Sequence, residues 1–177
     1  MIEPIDLLTL VIRPVLMDLG LHTTKAELLI LGTACAESDC GRYLKQRGDG
    51  PALGIFQMER ATHDDLYENF LSFRPLLRDR AWQYVTDGRQ NAEEMIGNLY
   101  YATAMCRIHY LRDPEPIPDT LPGQAAYWKR VYNTEAGKGT VEWDGTNSAG
   151  GKAASGIYFV KTKGPGIDKI VKIAVIR

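Results

Sequence analysis

Leu7, Leu8, Val11, Ile12, Val15 and Leu16 recur at three- and four-residue spacing, the period of a helix with one apolar side. Pro14 falls inside this run, lacks an amide hydrogen, and is expected to kink or divide the helix. Thr23 or Thr24 offers an N-cap for the next helix, with Glu27 placed to close a capping box on Thr24. That helix presents Leu28, Leu31, Ala34 and Cys35 as its apolar side and carries Glu37 near its C-terminal end. Shorter helices are expected over 61–71 and 75–86, and the longest over 92–112, with Met95, Leu99, Ala102, Cys106 and Tyr110 near one face. Pro114, Pro116, Pro118 and Pro122 mark a loop too rich in proline for helix. A last helix is expected over 123–134, through Trp128 and Tyr132.

After Gly137 the pattern changes. Gly, Ser, Thr and Asn dominate residues 144–156, as they do in turns. Ile157–Thr162 and Lys169–Ile176 are rich in β-branched and aromatic residues around Gly164-Pro165-Gly166, which is a hairpin signal. A lone hairpin is marginal in water. These strands are therefore expected to pack on the helical part, on another chain, or on each other with a third strand near Val141–Trp143. The fold class is mainly α, with a helical domain over 1–140 and a small C-terminal β-hairpin appendage over 141–177.

The chain has 177 residues, 45% hydrophobic and 24% charged, enough for a substantial core in a soluble globular protein. A formal net charge of −1 supplies no broad cationic face for nucleic acid. Charge is uneven: 141–177 holds six Lys/Arg against three acids, leaving fifteen against nineteen in 1–140. Three cysteines, Cys35, Cys40 and Cys106, make an odd number without a CxxC pair. They give poor support for a disulfide framework or a zinc site, and each is expected to fill a small buried or half-buried position. His22, His63 and His109 lack ligand spacing, so no metal and no cofactor is implied. Asp6, Arg13 and Pro14 interrupt the N-terminal apolar stretch, which reads neither as a signal peptide nor as a membrane span. Synthesis in a cytoplasm is the expectation, with a separate route to any substrate outside the membrane.

The chemistry-bearing stretch is 36–62, AESDCGRYLKQRGDGPALGIFQMERAT. A helix ends in a glutamate, a polar Gly-rich connection follows, then a short apolar Gly-Ile-Phe-Gln-Met segment. A carboxyl at the end of an apolar helix is partly desolvated, which raises its pKa and suits a general acid. Glycosidic oxygen is a poor leaving group and needs such a proton donor. An isolated glutamate in a last helical turn is ordinarily a solvated surface residue, so the surrounding residues must decide.

Those residues resemble the goose-type lysozyme and lytic transglycosylase superfamily. Glu37-Ser38 stands at the helix end, Gly54-Ile55-Phe56-Gln57-Met58 follows, and Ala61-Thr62 occupies the place of a similar Ala-Thr in transglycosylases. The goose-type likeness adds Gly41-Arg42, Leu44-Lys45-Gln46, Gly48-Asp49 and the acidic Glu59. A late Tyr-Asn landmark is matched by Tyr132-Asn133 with Gly137 behind it. The resemblance spans residues 25–140 and implies a lysozyme-like helical domain that cleaves the MurNAc–GlcNAc β-1,4 bond of peptidoglycan.

By that resemblance Glu37 is the catalytic acid, and Asp49 and Glu59 are the candidates for a second catalytic carboxylate. Goose-type enzymes carry paired aspartates where this chain has Asp49 and the longer Glu59. Ser38, Gln57, Tyr132 and Asn133 form the substrate-binding set. Within it, Tyr132 is placed to hold Glu37 or substrate by its hydroxyl. Ser38 is expected mainly to stabilise the helix end, and Asn133 to cap or brace local backbone. Phe56 and Met58 are expected in the core. An inverting hydrolase needs its two carboxyls roughly 6.5–9.5 Å apart. A lytic transglycosylase instead uses the sugar's own 6-hydroxyl with one glutamate. The presence of both Asp49 and Glu59 leans the reading toward muramidase.

Residues 98–107 and 127–134 look like lysozyme-like proteins encoded by tailed phages, which implies an endolysin or virion lysin reaching the wall through a holin lesion or on the particle. The tail, from Trp143-Asp144-Gly145 through Ser155-Gly156-Ile157-Tyr158-Phe159, is similar to the end of the Ig-like modules of flagellar hook-cap proteins. It is read as a fragment that docks on the enzyme, a wall-targeting appendage, or an edge for a strand-pairing partner. The alternative function is a lysozyme-fold wall-binding or phage structural protein with weak or no catalysis.

Overall fold

A computed structural model describes residues 1–48 and 50–133, together with the strand backbones of 156–164 and 167–175. The chain divides into two compact units, Met1–Thr134 and Glu135–Arg177. The first is mainly helical with a small two-stranded antiparallel sheet: α1 (Pro4–Asp6), a π-helical segment (Leu7–Ile12), α2 (Arg13–Asp18), α3 (Thr24–Ser38), β1 (Ala52–Leu53), β2 (Met58–Glu59), α4 (Arg60–Asn69), α5 (Pro75–Trp82), α6 (Glu94–Gly97), α7 (Leu99–Tyr110) and α8 (Leu121–Val131). A single 3₁₀ turn, Leu71–Phe73, follows α4. In the second unit β3 (Gly156–Gly164) pairs antiparallel with β4 (Ile167–Val175), in register Gly156↔Val175 through Gly164↔Ile167. The hairpin signal thus corresponds to a real strand pair. Ile176 and the third strand expected near Val141–Trp143 lie outside the described residues.

Pro14 divides the first helical run by changing its register. Before it the backbone opens to π spacing, the Arg13 amide donating to the Leu8 carbonyl. Pro14 has no hydrogen for the carbonyl four residues back, that of Leu10. The Tyr100 hydroxyl of α7 takes that acceptor instead, at 2.9 Å.

Helix α7 runs through the core. Tyr101, Ala102, Thr103, Ala104, Met105, Cys106, Ile108 and Tyr110 are all buried, and each large apolar side chain so covered contributes roughly 1.5–3 kcal/mol. The long helix expected over 92–112 is broken at Asn98. That side chain caps α7 by accepting from the Tyr101 amide, and its NH2 donates to the Tyr84 carbonyl and to Glu94. In the core, His63 bridges Asp64 and the Tyr101 hydroxyl, whereas Arg107 Nε and His109 Nδ1 are buried without a partner among the described residues. Pro122, expected in the loop, opens α8, where a missing amide hydrogen costs nothing; Thr120 is the N-cap.

Two expectations about α3 are corrected. Its N-cap is Thr23, whose hydroxyl accepts from the Ala26 amide. Glu27 does not close a capping box. It is buried and ion-paired to Arg13 at 2.5 Å, with His22 at 2.8 Å on the same oxygen, and the hydrogen bond from Arg13 holds its carboxyl below the usual range. The buried face is Ala26, Leu29, Ile30, Thr33 and Ala34 rather than one through Leu28 and Cys35. Both stripes are apolar, so spacing alone does not choose between them. The polar Thr33 is accepted inside because its hydroxyl bonds the Leu29 carbonyl and the Tyr110 hydroxyl.

Candidate active site

Helix α3 ends abruptly two residues after Ala36. Asp39, Cys40 and Gly41 adopt φ of 53°, 51° and 79° in succession, turning the chain back beside the helix end. The Asp39 and Cys40 amides return to the Cys35 and Ala34 carbonyls. Cys35 and Cys40 are joined as a disulfide with a Cα separation of 4.4 Å. This corrects the expectation that a disulfide is poorly supported, and Cys35 is exposed where a buried or half-buried position was expected; Cys40 and the free Cys106 are buried. The bridge encloses the turn that carries Glu37.

Opposite this helix end lies the 54–57 turn. Gly54 sits at φ 71°, and a Cβ there would stand 2.1 Å from the Met95 carbonyl oxygen, so only glycine fits. Three successive carbonyls of the turn are each taken by a different donor. Gln57 donates to the Gly54 carbonyl through its backbone amide (3.1 Å) and its side-chain Nε2 (2.8 Å). Ser38 Oγ donates to the Ile55 carbonyl at 2.6 Å. The Tyr132 hydroxyl donates to the Phe56 carbonyl at 2.9 Å. Ile55, Phe56 and Met58 are core residues.

Helix α8 closes the site. Tyr132, just past its end, stacks on Tyr110 at 5.2 Å between ring centroids, and Tyr110 stacks on Tyr127 at 5.6 Å. Burial in this aromatic column pushes the Tyr132 hydroxyl far above its usual pKa, so it is a permanent donor. The same stretch brings Trp128 Nε1 to 3.0 Å and Asn133 Nδ2 to 3.3 Å from one oxygen, Oε1, of Glu37. Lys129 Nζ donates to Asn133 Oδ1 at 3.1 Å. The Tyr43 hydroxyl donates to the backbone carbonyl of Glu37 at 2.7 Å.

Glu37 is half-buried, and that desolvation is the largest influence on its carboxyl, holding the pKa above the ordinary glutamate value. The hydrogen bonds from Asn133 and Trp128 and the charge of Lys129 offset part of the rise. Its place in the last turn of α3, at the negative end of the helix dipole, acts in the same direction as burial. The result is a carboxyl whose pKa lies above the ordinary glutamate value and which two donors hold in place. A carboxyl so placed is chemically suited to donating a proton.

The expected residues separate by position. Glu37, Gln57, Tyr132 and Asn133 are brought together with Ser38. Ser38 is fully buried, accepts from the Gly41 amide at 2.9 Å while donating to Ile55, and so braces the turn instead of meeting substrate. Tyr132 reaches the Phe56 carbonyl, not Glu37. Asn133 does more than brace backbone, since its amide donates to the Glu37 carboxyl. Glu59 is exposed at the N-terminal boundary of α4. Asp49 lies outside the described residues.

Trp128, Tyr43 and Lys129 were not singled out by sequence reasoning. The available signal was helical spacing, since Tyr132, just past the end of α8, follows Trp128 by four residues. No group of side chains suited to a metal ion occurs among the described residues, and no helix among them is long and apolar enough to cross a membrane. A surface hollow of about 490 Å³ beside Tyr67 and Trp82 is not lined by Glu37. Compared with protein-family models, curated proteins and solved structures, the chain has no significant match.

Proposed function

We propose that this chain has a lysozyme-like fold and cleaves the glycan strand of peptidoglycan at the MurNAc–GlcNAc β-1,4 bond, as a phage or prophage lysin. The observation that carries the reading is the convergence of sequence-distant residues on one carboxyl. Glu37-Ser38, the 54–57 turn and Tyr132-Asn133 carry the resemblance to goose-type lysozymes and lytic transglycosylases, and they meet around a desolvated glutamate. Glu37 donates its proton to the glycosidic oxygen as the C–O bond breaks, and its carboxylate then faces the developing positive charge of the sugar.

The attacking group distinguishes two products. Water activated by a second carboxylate, Glu59 or Asp49, gives reducing ends; attack by the sugar's 6-hydroxyl gives anhydro-muramyl ends. Digestion of purified cell wall followed by mass analysis of the fragments reads both outcomes. Release of neither product, with retention on the wall, refutes the enzymatic reading and marks a wall-binding or structural protein. Removal of residues 141–177 tests the tail as a wall-targeting element, with loss of wall retention expected.

A further inference from the structure

We propose that Trp128 is a positioning residue for Glu37 that, together with Asn133, confines the transferable proton to Oε2. The proposal rests on the reading of Glu37 as the acid. An indole N–H can only donate, and so can an ammonium group. Lys129 therefore fixes the Asn133 amide with Oδ1 toward Lys129, which turns Nδ2 toward Glu37. Trp128 Nε1 and Asn133 Nδ2 thus both donate to Oε1. A neutral carboxyl has one oxygen that only accepts and one that carries hydrogen. The oxygen meeting two donors is the carbonyl oxygen, so the hydrogen sits on Oε2. No hydrogen bond to Oε2 is made among the described residues.

This arrangement serves both halves of a proton transfer. The proton passes from Oε2 to the glycosidic oxygen, which takes the electrons of the breaking C–O bond. Both donors stay on Oε1 and bind the new carboxylate more strongly than the neutral acid. Where the sugar's 6-hydroxyl attacks, it returns its proton to Oε2; where a second carboxylate takes the proton of an attacking water, Oε2 regains its own from solvent. Trp128 need not move in either step. The ionisable groups facing Glu37 are Lys129 from α8, Cys106 and Tyr110 from α7, and Tyr132 beyond α8. Burial raises the pKa of Cys106, Tyr110 and Tyr132 and so favours their neutral forms.

The test replaces Trp128 by its benzothiophene isostere, which keeps the ring volume and loses the N–H, alongside Trp128→Phe and Glu37→Gln. On purified cell wall the isostere is expected to lower kcat about ten- to hundred-fold, the range for a hydrogen bond to a charged group. KM should stay unchanged, and the alkaline limb of the pH profile should move to higher pH, because a donor favouring the carboxylate has gone. In the unmodified chain the indole N–H proton resonance of Trp128 should shift with the titration of Glu37 and stay constant in Glu37→Gln. An isostere with unaltered kcat and pH profile overturns the proposal, as does a raised KM alone, which would make Trp128 a sugar platform. An indole resonance indifferent to Glu37 does the same. Full turnover by Glu37→Gln overturns the acid assignment itself and is read separately.

Discussion

Ser38→Ala separates two roles for the residue beside Glu37. The Ser38 hydroxyl is wholly buried; it touches the Ala34 carbonyl at 3.2 Å, but its two short partners are the Ile55 carbonyl at 2.6 Å and the Gly41 amide at 2.9 Å. Alanine leaves both without that partner. A buried polar group left unpaired costs about 1–3 kcal/mol. The two share one hydroxyl and are not independent, and alanine regains up to about 0.5 kcal/mol in helix propensity. The expected net loss is about 2–4 kcal/mol. For a domain of this size that corresponds to a fall in Tm of roughly 6–20 °C. The assay is thermal and urea unfolding, paired with kinetics on cell wall well below the new Tm. A brace predicts the fall in Tm with KM little changed. An unchanged Tm with a raised KM would place the hydroxyl on the glycan and refute the reasoning.

Further outcomes follow from the same geometry. Glu37→Gln should abolish turnover and leave the helical unit at least as stable at pH 7. The folded protein holds Glu37 at a raised pKa through desolvation, so protonation favours the native state, and this contribution is lost as pH rises from the unfolded value through the folded one. Chemical unfolding of both proteins at pH 4 and pH 7 checks the sign: lower stability of the variant at pH 7 contradicts it. For the same reason activity should fall on the alkaline side as Glu37 ionises, and an acid limb alone would be inconsistent with a proton donor. Gly54→Ala should destabilise more than Ser38→Ala, since the left-handed conformation alone costs an L-residue about 1–2 kcal/mol and the new Cβ meets the Met95 carbonyl; a loss below that of Ser38→Ala on urea unfolding refutes it. Alkylation of the unfolded, unreduced protein should modify Cys106 alone by mass spectrometry, whereas modification of Cys35 and Cys40 would show the bridge absent.

Local chemistry was the legible part of this sequence. The end of α3 at Glu37-Ser38, the hairpin strands and the core placement of Phe56 and Met58 follow from patterns a few residues long. What the sequence hid depends on partners far along the chain. Trp128 lies ninety-one residues from the carboxyl it binds, and nothing in its neighbourhood distinguishes a tryptophan on an acid from one on the core. Glu27 satisfied the spacing of a capping box, yet Arg13 and His22 offered it a stronger pairing. Asn98 looked like an ordinary position within a helix until its side chain was seen to cap α7 and bind Tyr84. The face of α3 was misjudged because two apolar stripes compete and Thr33 reads as polar until Tyr110 is opposite it.

The three neighbouring carbonyls of residues 54–56, each claimed by a different donor, have a consequence for how this protein can change. Ser38, Tyr132 and Gln57 each help seal the same short turn, so weakening any one loosens the packing beside the end of α3. On the proposed reading, substitutions in this turn that change which glycan is accepted would therefore also draw on conformational stability. Variation in substrate preference should be sought at exposed positions around this turn, with the donors beneath it left intact.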